Sequence, residues 1–334
     1  MAGTDDGLIH VRQPGATEWA GYDSFKNVPE GSYVSDLEPS LFDANVIFAT
    51  FDNHKRDDFK PYVLMSQNQG KSWKNIAGDL PERGTVYTIA QDHVDPELLF
   101  VGTEFGMFFT RNGGTNWTQL KAGIPVIACR DLEIQRRESD LVVASFGRGF
   151  FILDDYSPLR NLTTEVMDEP AMIFPVKKAM LYNEGTPVGS AGKGHQGDAF
   201  WLAKNPPYGA IITYRLKEGL DTLKDQRQKA DSEKFENNEP VFYPSWDELR
   251  AEDREQDPAI ILTIKDARGD VVRRFNGPTG SGFHRVAWDL RYPDVSPVNL
   301  NRSGPDTPWD DIPAGPYAMP GVYNVTVSKR VLGE

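Results

Sequence analysis

The chain has 334 residues, a formal net charge of −13 and a single cysteine, Cys129. Such an acidic balance argues against nucleic acid or an anionic membrane face as partner, and one thiol excludes a disulfide framework and any multi-cysteine metal centre. No apolar run approaches the roughly 20 residues of a membrane-spanning helix, and MAGTDDGLIH has no basic start leading into an apolar stretch, so no export signal is read there.

The length favours two domains. With 30 Gly, 24 Pro, 18 Phe, 12 Tyr and 7 Trp, the chain favours short strands and tight turns over long helices. The apolar runs VIFATF (46–51), LLFVGT (98–103), LVVASF (141–146), AIILTI (259–264) and VYNVTV (322–327) each suit a strand of about 5–6 residues. The expected class is mainly β.

Two elements repeat in the first half. A small residue followed by a hydroxyl, then a turn and an apolar strand, recurs with the hydroxyl at Thr4, Thr50, Thr103 and Ser145, in steps of 46, 53 and 42 residues. That period suits one four-stranded propeller blade of roughly 40–50 residues. The second element is Ser66-Gln67-Asn68-Gln69-Gly70-Lys71-Ser72-Trp73, matched by Thr110-Arg111-Asn112-Gly113-Gly114-Thr115-Asn116-Trp117, with a looser copy ending at Trp19. In each, an asparagine can accept backbone N–H groups across the turn, a glycine supplies positive φ, and a tryptophan packs beneath. These boxes are structural and do no chemistry.

The runs GTDDGLIHV, DDFKPYVLMSQNQGKSW, GTEFGMFFTRNGGTNW and SFGRGFFILDDYSPLRNL resemble the bacterial BNR/Asp-box repeat proteins, sortilin-like β-propellers often labelled glycosyl hydrolases. The likeness covers about residues 1–160. It implies a partial β-propeller of about three to four blades of four-stranded sheets: an incomplete blade at 3–21, full blades near 33–77 and 86–120, and a partial one near 128–153. Open blade edges invite pairing, so two copies are expected to associate through them. The relatives are commonly exported, which implies a periplasmic or secreted setting for the family.

Residues 161–198 read as a strand and a Gly-rich linker, NEGTPVGSAGKGHQGD. From 199 to 334 the strands WLAKNPPYGAIITYRLK, AIILTIKDARGDVVRRF, FHRVAWDLRYP and MPGVYNVTVSKR predict a sandwich, with a hairpin turning at Gly269 and Trp288 in the core. Their order resembles the Ig-like module of flagellar hook-capping proteins. A charged insertion, 216–257, predicts a solvated helix and a second short one opened by the capping box Ser245-Trp246-Asp247-Glu248.

No nucleophile elbow, zinc helix, Walker loop or dinucleotide fingerprint is present. Cys129 lies in an apolar run and is expected to be buried. In a propeller the hairpins after each second strand share one face with the blade-to-blade links, and the Asp-boxes occupy the other. The shared face would carry Asp5 and Asp6, the insertion Asp52-Asn53-His54-Lys55-Arg56-Asp57-Asp58-Phe59-Lys60, Glu104 and Arg148, with Arg130 and Asp131 opening an inner strand; Asp92 and His93 would lie opposite.

Three functions fit this rim. A saccharide hydrolase would use Asp58 and Glu104 as its carboxylate pair, with Arg56, Asp57, Lys60, Arg130, Asp131 and Arg148 binding substrate. A Ca2+-assisted hydrolase of small lactones or esters would place the ion on Asp5, Asp6 and Asn53, with Asp58 contributing to the same oxygen set and His54 as base toward water. A non-catalytic module would bind protein or glycan with the same face. No organic cofactor is implied.

Overall fold

The computed structural model describes residues 1–13, 15–121, 123–183, 203, 205–297 and 314–331. The chain is mainly β and divides into two units, Met1–Thr163 and Thr164–Glu334.

The first unit is four successive antiparallel meanders. Blade one is β1 (Ala2–Gly3), β2 (Ile9–Val11) and β3 (Ala20–Tyr22). Blade two is β4 (Tyr33–Pro39), β5 (Ile47–Asn53), β6 (Asp58–Ser66) and β7 (Lys74–Asn75). Blade three is β8 (Val86–Gln91), β9 (Leu99–Thr103), β10 (Gly106–Thr110) and β11 (Thr118–Leu120); blade four is β12 (Cys129–Gln135), β13 (Asp140–Ser145) and β14 (Phe150–Leu153). The looser Asp-box falls between β2 and β3, as the others fall between third and fourth strands. The strands of blade one therefore correspond to the second, third and fourth of a blade.

Each blade packs face to face on the next, through three successive apolar layers. Ile9 and Val11 meet Val34, Ile47 and Phe51; Phe48 and Val63 meet Val86, Leu99 and Val101; Phe100, Met107 and Phe109 meet Leu132, Leu141 and Val143. This explains the continuous apolar runs of β5 and β9, whose residues are all buried because both faces are covered. In β14 burial alternates instead. Inner strands are also tied by polar groups: Asp36 Oδ2 accepts from Thr88 Oγ1 (2.8 Å) and the Ile89 amide (3.0 Å), and Ser35 Oγ donates to Val86 O (3.0 Å).

The Asp-boxes fold as expected. Asn68 Oδ1 accepts from the Ser72 amide (2.8 Å) and Asn112 Oδ1 from the Asn116 amide (2.9 Å), while Gly70 and Gly114 both take φ 90°. Trp117 is buried and donates to Ile76 O at 3.0 Å. The small-hydroxyl repeat needs one correction. Thr103 pairs with Val86 and Ser145 with Cys129, but in blade two the equivalent pair is Phe51 with Val34; Thr50 lies one residue out of register, opposite Asp36.

The second unit is a β-sandwich. β15 (Ala171–Ile173), β16 (Ala210–Leu216) and β19 (Gly282–Trp288) form one sheet; β17 (Ala259–Lys265), β18 (Val271–Gly277) and β20 (Asn324–Arg330) form the other, in order β18-β17-β20. Ile212, Tyr214, Leu262, Ile264 and the buried Trp288 fill the space between them. Within 161–198 a strand is present, β15, which pairs with β16 and so belongs to the sandwich; most of the expected Gly-rich linker, from 184 on, lies outside the described residues. Gly269 (φ 91°) turns the β17–β18 hairpin.

The charged insertion holds α2 (Leu223–Glu236) and α3 (Trp246–Arg254), following the five-residue helix α1 (Thr164–Asp168). Both longer helices open with a capping box, Thr222 with Asp225 and Ser245 with Glu248. Neither buries a residue, so capping and ion pairs such as Arg227–Glu252 (2.6 Å) support them in place of an apolar face. No helix among the described residues is long and apolar enough to cross a membrane.

Candidate functional site on the loop face of the first unit

The hairpins after β1, β5, β9 and β13, together with the starts of β4, β8 and β12, lie at one end of the blades. Three inner strands carry the same irregularity there. One extra residue is inserted between Val34 and Asp36, between Val86 and Thr88, and between Cys129 and Asp131. The bulged residues are Ser35, Tyr87 and Arg130. A bulge bends the strand and re-aims one side chain, and such bulges concentrate beside active sites.

Arg130 reaches back over the preceding blade, with its guanidinium carbon 3.9 Å from the centroid of the Tyr87 ring and 5.4 Å from that of Phe146. Burial pushes the Tyr87 phenol up; Arg130 opposes this, while the carboxylates of Glu104 and Asp52 add to it. Blades two, three and four thus each place a charge around this one ring. Glu104 is half-buried, and its Oε2 is buried with no hydrogen bond from the described residues. An unsatisfied carboxylate oxygen calls for a partner such as a ligand hydroxyl or a water.

The hairpin from β5 to β6 supplies the second feature. Asp52, 7% exposed, stands at the end of β5, and the chain then makes a 3-10 turn, His54–Arg56, closed by Asp57 in the left-handed region (φ 60°). His54 Nδ1 lies 2.6 Å from Asp52 Oδ1 and 2.7 Å from Oδ2, and the His54 amide donates to Oδ1 at 2.9 Å. A carboxylate only accepts, so the contact puts a ring proton on Nδ1, and in the neutral ring the lone pair is then on Nε2. The His54 side chain is 41% exposed, and its Nε2 makes no hydrogen bond among the described residues. This is the geometry of an oriented base.

The other expected residues are dispersed. Asp58 faces the hairpin: its Oδ2 accepts from Tyr62 Oη (2.7 Å) and Asn53 Nδ2 (3.0 Å), and Oδ1 from the Lys60 amide (3.3 Å). Burial alone would raise this carboxyl, but those hydrogen bonds outweigh it and hold it below the usual range. Arg56 donates through Nη1 to Glu30 O and lies against Gly31, so it braces the entry to β4. Asp57 and Arg148 are exposed turn residues, Lys60 is exposed in β6, and Asp131 accepts from the Leu132 amide (2.9 Å). Asp5 and Asp6 are exposed in the blade-one turn, where Asp6 accepts from Thr4 Oγ1.

Among the described residues no three His, Cys, Asp or Glu side chains gather as a metal-holding group, and Asn53 donates its Nδ2 to Asp58. Cys129 is fully buried and burial pushes its thiol up to about 11, which removes it as a nucleophile. At the opposite end Asp92 is buried, bound by Arg160 (2.7 Å) and Tyr156 Oη (2.5 Å), a structural hub away from the rim.

Asp52 was expected on this face only as the first residue of the insertion, with no role of its own, and Tyr87 was not expected there at all. Asp52-Asn53-His54 carries the Asx-turn signal that could have singled out its aspartate. Aligning the inner-strand starts Val34-Ser35-Asp36, Val86-Tyr87-Thr88 and Cys129-Arg130-Asp131 would have brought out Tyr87.

No protein-family profile matches the chain, and no curated protein sequence does either. Among solved structures, a chain described as YCF48 bound to D1 peptide is similar at 15% identity and TM-score 0.36, over 46% of each chain. An ancestral GH74 enzyme is similar at 22% identity and TM-score 0.35, over 43% of this chain and 20% of that one. The GH74 xyloglucanase from Xanthomonas campestris is similar at 14% identity and TM-score 0.31, over 36% and 22%. The chain thus spans less than half the length of each, and at such TM-scores function must be read from its own residues.

Proposed function

We propose that the loop face of the first unit hydrolyses a small ester or lactone, with His54 as general base and Asp52 as its positioning residue. The observation that carries this is the 2.6 Å contact between His54 Nδ1 and buried Asp52, on a side chain that is 41% exposed and whose Nε2 makes no hydrogen bond among the described residues. In the reaction His54 Nε2 takes a proton from water as the water oxygen bonds to the carbonyl carbon. Arg130 stabilises the resulting oxyanion, the C–O bond to the leaving group breaks, and His54 returns its proton to the departing alkoxide. Glu104, with one oxygen unpartnered, accepts from a substrate hydroxyl.

A glycosidase would need a carboxylate pair in which one member can hold a proton. Both Asp58 oxygens are engaged within its own hairpin, by Tyr62, Asn53 and the Lys60 amide, so Asp58 is not free to act as the partner of Glu104. The test is a panel of chromogenic esters, lactones and glycosides assayed with and without EDTA. Ester or lactone turnover that resists EDTA and falls at least about a hundredfold in His54→Gln supports the proposal. Turnover confined to glycosides, or unchanged in His54→Gln, overturns it.

A further inference from the structure

The outer face of blade four repeats a surface that is covered in each of the three preceding blades. The bulges fix the equivalence. Gly102 and Phe100, paired with Met107 and Phe109, correspond to Ala144 and Val142, paired with Phe150 and Ile152. In blade three these side chains lie under blade four, with Phe100 0% and Phe109 8% exposed. In blade two the corresponding Phe48, Met65 and Val63 lie under blade three. In blade four Phe150 is 71% and Ile152 60% exposed.

We infer that this face binds blade one of a second copy of the chain. Repetition sets the kind of partner, because each equivalent face is covered by a neighbouring blade. Charge selects which blade. The inner strand of blade four carries the exposed acids Asp131 and Glu133 beside the apolar patch. On blade one Ile9 and Val11 turn inward, so His10 and Arg12 take the free side, where Arg12 lies over the exposed Trp19 at 5.4 Å. Basic groups and an aromatic thereby meet acids and aromatics. Without such local complementarity two copies at a formal charge of −13 each would repel. Four blades per copy give eight in a two-fold pair, within the roughly 4–8 over which propellers close.

Sedimentation or light scattering of the full chain at micromolar concentration tests this. The wild type is expected as a dimer, and Phe150→Glu with Ile152→Lys as a monomer with an unchanged far-UV spectrum. Glu133→Lys is expected to weaken the dimer by about tenfold, and Arg12→Glu in the same chain to restore it. A monomeric wild type overturns the inference. So does a Glu133→Lys dimer that Arg12→Glu fails to restore, because the two copies would then meet blade four to blade four.

Discussion

The guanidinium of Arg130 lies 3.9 Å from the ring centroid of Tyr87, and each is the extra residue of a bulge on adjacent inner strands. Two insertions, 43 residues apart in sequence, thereby bring a cation from blade four onto an aromatic ring of blade three. A planar guanidinium stacks there, whereas a lysine would present a hydrated point charge. Arg130→Lys is therefore expected to lower kcat/KM for the ester or lactone substrate by roughly 10–100-fold, with little change in Tm. Steady-state kinetics beside thermal melts check both parts.

Asp52 and Asp58 flank the same hairpin and are expected to separate cleanly. Asp52→Asn replaces the acceptor that orients His54, so kcat should fall by at least about tenfold with KM nearly unchanged. Asp58→Asn removes charge-assisted bonds from Tyr62 and Asn53 and should destabilise the unit by about 1–3 kcal/mol. Its kcat per folded molecule should stay close to the wild type. Denaturant titration with active-site-normalised rates distinguishes the two.

At the opposite end of the blades, Asp92 is buried between Arg160 and Tyr156. Asp92→Ala would leave the guanidinium without its partner, and a loss of about 3–5 kcal/mol is expected. Urea unfolding measures it. Activity at low denaturant should remain, since neither residue touches the rim.

Glu38, on inner strand β4, titrates unusually. Burial pushes it from the ordinary 4.5 up to about 7, helped by Asp36 and Glu133 and opposed by Arg136 and a backbone bond from Gln91. The folded chain therefore holds a proton that the unfolded chain releases between pH 4.5 and 7, so this group's contribution declines as pH rises through that window. Glu38→Gln should match the wild type near pH 4 and melt roughly 2–4 °C higher near pH 8. Melting curves across the range provide the check.

Much of the fold was legible because its determinants are local. Asn68 and Gly70 act within one hairpin, and Ser245 with Glu248 acts within one helical turn, so spacing alone identifies them. The blade limits followed from the same periodicity. Thr50 misled because a repeat of small and hydroxyl residues does not record a one-residue register change in β5. The site was harder to read for a related reason. Asp58 and Asp52 are equally acidic on paper, and only the hairpin's closure decides that one binds Tyr62 while the other binds His54. Tyr87 is an ordinary strand aromatic until a bulge turns it toward Arg130.

The most direct test of the base assignment is chemical rescue. His54→Ala removes the imidazole and opens space beside Asp52. Added imidazole should therefore restore a saturable part of the lost ester or lactone hydrolysis in this variant and leave the wild type unaffected. Activity in His54→Ala equal to the wild type, or a loss that imidazole does not relieve at any concentration, would contradict the assignment of His54 as the group that takes the proton from water.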